Sequence, residues 1–233
     1  LNLLEFGAAL RLGVLFICAL LLAGCAGRGA QDRGVTEAAR LTRLAREAAA
    51  VESIEGSGKA RIETRLGQVE IEFEMRCEPG RLLEINGTLA PGFLPFHGDI
   101  EVTSTPDTTL AFVNGIPLVS TGRPYPGEVV YPALVAVMLG GDWVLGWLEQ
   151  RGCEPAPKVD CGEIAYEFDL DDEGGGVKAW TLKHSEPDGS YDGFLYRARR
   201  QDRVRLPEIL TGVAHPYEVS VYVEYYEISA TTR

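Results

Sequence analysis

Val69-Glu70-Ile71-Glu72-Phe73-Glu74-Met75-Arg76-Cys77 is the stretch that decides the fold class. Its apolar side chains fall at every second position. A period of two puts Val69, Ile71, Phe73, Met75 and Cys77 on one face of an extended strand, with Glu70, Glu72, Glu74 and Arg76 on the other. That alternation predicts a half-buried strand in an antiparallel sheet. Leu66-Gly67-Gln68 turns the chain into it, and Glu78-Pro79-Gly80 turns it out again. Working outward, strands are predicted from Lys59 and over Arg81–Thr88, Gly98–Ser104 and Thr108–Val113. Asn114-Gly115 is a hairpin turn leading into Ile116–Thr121. Alternation resumes at Glu163–Leu170, Val177–His184, Tyr191–Arg199 and Glu218–Ile228, with turns at Asp171–Gly176 and Glu186–Ser190 between them.

Two segments follow a helical period instead. From Thr36 to Val51, Ala38, Leu41, Leu44, Ala45, Ala48 and Val51 share one face, with Thr36 as the predicted N-cap. The strands that follow are the expected surface for this narrow stripe. Glu128 to Leu148 is apolar around Gly140-Gly141-Asp142, which predicts two short helices, with Pro132 near the start of the first and Asp142 capping the second. Pro132, the glycine pair and Asp142 argue against a single membrane helix.

The 233 residues suffice for one full-sized domain. A net charge of −12 repels phosphate backbones, so no nucleic-acid partner is expected. Leu12 to Ala23 is an unbroken apolar run behind Arg11. Twelve helical residues span about 18 Å against roughly 30 Å of hydrocarbon, a length suited to a signal peptide. The run ends in Leu22-Ala23-Gly24-Cys25, which resembles the bacterial lipobox. That resemblance implies a signal peptide over 1–24, acylation of Cys25 and a membrane-lipid partner. Ala26, where enterobacterial lipoproteins kept at the inner membrane carry Asp, directs the expectation to the outer membrane, facing the periplasm. Several acyl chains anchor stably where one does not. Residues 25–35 read as the lipidated cysteine and a flexible, Gly-rich tether, and 36–233 as the folded domain.

Of the five cysteines, Cys153 and Cys161 bracket a Pro-rich loop that a disulfide could close, and Cys77 reads as a buried free thiol. No CxxC or His-x-x-x-His spacing supports zinc, and no metal or other cofactor is expected. Asp169, Asp171, Glu173 and Gly174 imitate the opening of a calcium loop, but Trp180 stands where its bidentate glutamate is required. His97, His184 and His215 lie far apart in sequence. No nucleophile, phosphate-loop or zinc-protease motif is present, and no catalytic residue is assigned.

One helix, a run of antiparallel strands, a helical insert and more strands together resemble the LolA/LolB lipoprotein-carrier superfamily. The residues that carry the likeness are Ile54-Glu55-Gly56-Ser57-Gly58-Lys59-Ala60-Arg61-Ile62, Gly80-Arg81-Leu82-Leu83-Glu84-Ile85, Thr105-Pro106-Asp107 and Pro132 to Gly141. The resemblance implies an α+β, mainly β fold: a curved antiparallel half-open barrel of roughly ten strands, with an N-terminal helix and a short helical lid. It further implies a monomer that binds acyl chains or lipoproteins, exchanges them with a periplasmic carrier, and has no enzymatic activity. Phe93, Leu94 and Phe96 in the Leu89–His97 link, and Met138, Trp143 and Trp147 in the insert, are the candidate acyl or membrane contacts. The loop residues equally suit a cap on one end of the core, and the tryptophans suit core packing. The carriers hold their lid with an inner-strand arginine, for which Arg61, Arg65 and Arg76 all qualify. The alternative is a structural or interaction lipoprotein whose barrel is filled by its own side chains.

Overall fold

The computed structural model describes residues 37–65, 67–89, 98–117, 125–162, 164–171, 175–184, 189–215 and 218–232. Two compact units divide the chain, Leu1–Ala39 and Arg40–Arg233. In the first, residues 37–39 are described and open helix α1, which runs over 37–49. The second unit carries everything that follows.

From α1 the chain enters β1 (Val51–Thr64), β2 (Gly67–Glu78), β3 (Leu82–Leu89), β4 (Gly98–Ser104), β5 (Thr108–Val113), β6 (Ile116–Pro117) and β7 (Tyr125–Pro126). Helices α2 (Gly127–Leu139) and α3 (Gly141–Gln150) come next. The chain ends in β8 (Lys158–Cys161), β9 (Ile164–Leu170), β10 (Val177–His184), β11 (Gly189–Gln201), β12 (Val204–His215) and β13 (Val219–Thr232). All strands belong to one antiparallel sheet, in the order β6-β5-β4-β3-β2-β1-β13-β12-β11-β10-β9-β8, with β7 paired to β5. Two meanders are thus joined through their first and last strands, where β1 pairs with β13. The sheet is an open, curled half-barrel with the helices on its buried face, as the alternating pattern and the resemblance predict. α2 packs on β12, β4 and β5, and α3 on β10.

Several elements differ from the sequence expectation. α1 ends by residue 49, and β1 starts at Val51. Strand β12 was not predicted, because Pro207 and Gly212 interrupt its pattern. The sheet tolerates Pro207 beside an irregularity in β11, where the register shifts between Leu195 and Ala198. Strand β8 is hidden in the Cys153–Cys161 loop. The hairpin after Asn114-Gly115 is short, Ile116–Pro117, with 118–121 outside the described residues. Pro132 lies inside α2 rather than at its start. Asp142 does not cap α3. Gly140 occupies that position with φ 90°, which favours glycine, and no side chain caps the helix. The α1 stripe meets α3 as well as strands: Ala48 lies so close to Gly146 that a Cβ there would stand 2.9 Å from the Ala48 methyl. Each buried leucine of α1, Leu41 and Leu44, contributes about 1.5–3 kcal/mol.

Inward glycines let large rings lie flat on the sheet. Gly193 pairs with Trp180 on β10, and the indole covers it so closely that a Cβ would stand 2.2 Å from the ring. Replacing Gly193 with alanine should cost about 1–3 kcal/mol by overpacking. Urea unfolding checks this in a cycle with Trp180→Ala, where the alanine should then cost far less. Purely additive costs would show that the ring does not set the requirement.

Candidate functional site

Cross-strand register assembles the inner face row by row. One row runs Val69, Ile62, Val221, Gly212, Gly193, Trp180, Phe168. The next runs Leu89, Ile71, Ala60, Val223, Leu210, Leu195. A third holds Val113, Ile100, Gly87, Phe73, Gly58 and Tyr225, and a fourth holds Ala111, Val102, Ile85, Met75, Gly56 and Ile228. Toward β9–β13 these rows are buried, with Trp180, Leu195, Leu210, Val223, Tyr225 and Ile228 in the core. Toward β2–β5 the cover thins. Ile62, Val69, Ile71, Ile85, Leu89, Ile100, Val102, Val113 and Val221 are only half-buried. They form an aliphatic strip with no charged side chain in any of these rows. A surface of this kind can hold hydrocarbon and offers nothing to a charged group.

The opposite face is polar. Glu72, Glu74, Glu101 and Asp99 project there from β2 and β4, and Lys59 and Arg61 both pair with Glu70. A groove of about 570 Å³ crosses this face over Gly193 and Gly212, between Phe194, Tyr222, Arg61 and Asp192. Among the described residues no group of His, Cys, Asp and Glu could hold a metal ion. No helix among them is long and apolar enough to cross a membrane.

The helical insert is tied to the sheet by a buried charged cluster. Val177 of β10 donates its backbone N–H to Asp142 Oδ1 at 2.7 Å. Arg205 of β12 places Nη1 3.8 Å from Asp142 Oδ2 and Nη2 3.9 Å from Asp171 Oδ2. Arg205 Nη1 also donates to the Val177 carbonyl at 3.2 Å, and Arg40 Nη2 donates to the Asp171 carbonyl at 2.7 Å. The side chains of Asp142 and Arg205 are only 10% and 15% exposed. Burial pushes the Asp142 carboxyl up to about 6, outweighing the Val177 hydrogen bond and the Arg205 charge that favour ionisation. Gly176 makes room for this cluster, since a Cβ there would stand 2.7 Å from Asp142 Oδ2 and collide with Arg205.

Of the residues singled out in the sequence, Cys25, Phe93, Leu94 and Phe96 lie outside the described residues. Met138, Trp143 and Trp147 are 6%, 2% and 4% exposed and sit inside the core. Tyr225 donates its hydroxyl to the Met138 carbonyl at 2.8 Å, and the Trp147 ring meets Tyr166 edge-on. With α2 and α3 seated, these three side chains touch protein, and the aliphatic strip lies beyond them. Cys153 and Cys161 form a disulfide that ties the end of α3 to edge strand β8. Cys77 is a buried free thiol, pushed up to about 12 by burial. The three arginines considered for the insert have other partners: Arg61 has Glu70, Arg65 has Glu218 and Arg76 has Glu78. Among the described residues, the strand arginine paired with an insert carboxylate is Arg205, on the strand that Pro207 concealed; Arg46 of α1 also pairs with Glu149 of α3.

No family model and no curated protein sequence matches the chain. Solved structures do. A LolA superfamily protein from Nitrosomonas europaea matches over 82% of this chain and 94% of its own, at 7% identity and a TM-score of 0.49. A DUF1329 family protein from Desulfovibrio piger matches over 84% and 92%, at 7% identity and a TM-score of 0.45. An outer membrane lipoprotein-sorting protein domain from Vibrio parahaemolyticus matches over 85% and 94%, at 6% identity and a TM-score of 0.45. A LolA superfamily structure is thus among those to which this chain is similar.

Removing one partner of a buried ion pair leaves the other uncompensated. Arg205→Met should therefore destabilise the protein by about 2–4 kcal/mol at pH 7.5. Adding Asp142→Asn should recover part of that loss in urea unfolding. No recovery would mean that the two side chains do not interact.

Proposed function

We propose that this protein is a cell-envelope lipoprotein, anchored through Cys25, that binds the acyl chains of lipids or lipoproteins on the aliphatic strip of its half-barrel. It does so without covalent chemistry and takes part in their delivery to the outer membrane. One observation carries the reading: Val69, Ile71, Leu89, Ile100, Val102 and Val113 share the inner face of neighbouring strands and are left half-covered beside α2. Each methylene laid on such a surface contributes up to about 0.8 kcal/mol, so a long chain is held firmly without any polar contact. The envelope address rests on the apolar run 12–23 and Cys25. The delivery role rests on the resemblance carried by residues 54–62 and 132–141.

A second reading is favoured by a different observation. Met138, Trp143 and Trp147 are enclosed by protein, as in a self-filled barrel that serves as an envelope scaffold. The two readings separate in native mass spectrometry. The Cys25→Ser chain, secreted unlipidated and released without detergent, should carry adducts of lipid mass. Ile100→Asp or Val113→Asp, each placing a carboxylate on the strip, should lose them while keeping the wild-type circular dichroism. A bare mass that also refuses added palmitate would leave the scaffold.

A further inference from the structure

Asp142 is an odd residue for its place. It opens α3 at the point where the insert turns from one helix to the next, yet it faces inward and ends buried against the sheet. Several elements around it contribute charged or polar groups. β10 offers the Val177 N–H, and β12 offers Arg205. Arg205 is shared with Asp171 at the end of β9. Arg200 of β11 adds positive potential and Glu47 of α1 adds negative potential. Gly140, with φ 90°, forms the joint between α2 and α3 in a backbone conformation that glycine adopts at no steric cost. Gly176 shapes the receiving side. The site is therefore built around this one carboxyl group, on a helix that rests on β10.

We infer that Asp142 makes α3 a proton-controlled clamp: the neutral carboxyl holds the helix on the sheet, and the ionised carboxylate favours its release. The sign follows from linkage. A neutral acid keeps the hydrogen bond from Val177 and avoids the cost of a buried charge. The seated state thus binds the proton more tightly than any state in which Asp142 is hydrated. The extra hold is fully present below the ordinary aspartate value near 3.8 and is lost as pH rises through about 6. Release of α3 would uncover Trp143 and Trp147 and open the β10 side of the inner face to a ligand. That consequence for ligand uptake rests on the acyl-binding reading, whereas the clamp does not.

Hydrogen exchange on the full chain tests the clamp, with rates corrected for intrinsic pH dependence. The amides of Trp143–Leu148 should open locally, well above the rate of the β1 and β13 amides. Their opening constant should fall about tenfold from pH 7.5 to pH 5. Asp142→Asn, which keeps the acceptor oxygen and has no charge, should stay at the slow level throughout. The wild-type pH series decides the sign even if the variant folds poorly. Exchange of α3 only together with β1 and β13 would overturn the clamp, as would an opening that grows with acid or a pH trend that survives Asp142→Asn. Diphenylhexatriene, uncharged at both pH values, reports the ligand arm separately. Faster uptake at pH 7.5 supports clamp and strip together. A pH-dependent α3 with no uptake at either pH leaves the clamp standing and removes the acyl reading.

Discussion

The structure depends on one topological constraint: the two free edges of the curled sheet are consecutive in the chain. β5 to β7 form one edge and β8 the other, and α2 and α3 are the connection between them. A segment that must travel from edge to edge of a half-barrel lies across its open side. Being apolar, it settles on the inner face, where β1, β2, β12 and β13 present side chains that need cover. The disulfide Cys153–Cys161 finishes the crossing by fixing the end of α3 to β8, and it shortens the unfolded loop by about 2–3 kcal/mol on the chain-entropy estimate.

Two helices cannot cover thirteen strands. α2 packs on β12 and on β4 and β5, and Trp147, Tyr166, Trp180 and Leu210 bury together on the β9–β13 side. On the β2–β5 side the same sheet keeps aliphatic side chains on its inner face with partial cover. Here the positions are Val, Ile and Leu, interrupted by inward glycines such as Gly87, so the surface stays shallow and apolar. The opposite face, rich in glutamate, keeps the sheet soluble and discourages stacking on a second sheet.

The charged cluster at Asp142 lies on the covered side of the sheet, where α3 meets β10 and β12. A buried ion pair adds little net stability, because desolvation offsets most of its attraction. In the proposed clamp its value lies in position: it holds α3 through a group whose charge can change, next to the Gly140 joint. Packing alone would hold the helix just as well, with no dependence on solution conditions.

Much of this was legible in the residues themselves. Alternation in 69–77 and its neighbours specified antiparallel strands and which side chains face inward, because a strand has only two faces. The apolar run with Gly140-Gly141 specified a helical insert, and the Cys153–Cys161 spacing marked a closable loop. Other features needed the tertiary structure. Pro207 hid β12, since a proline in a central strand is tolerated only when a partner strand supplies an irregularity, and the partner is not visible in the pattern. With β12 hidden, Arg205 had no address. Asp142 looked like a helix cap because local rules offer it only local donors. Its actual donor is Val177, thirty-five positions away. Whether Met138, Trp143 and Trp147 line a cavity or fill one depends on how far two helices reach across a curved sheet. Curvature and reach arise from the sum of all strand pairings, so no short stretch of sequence could decide them.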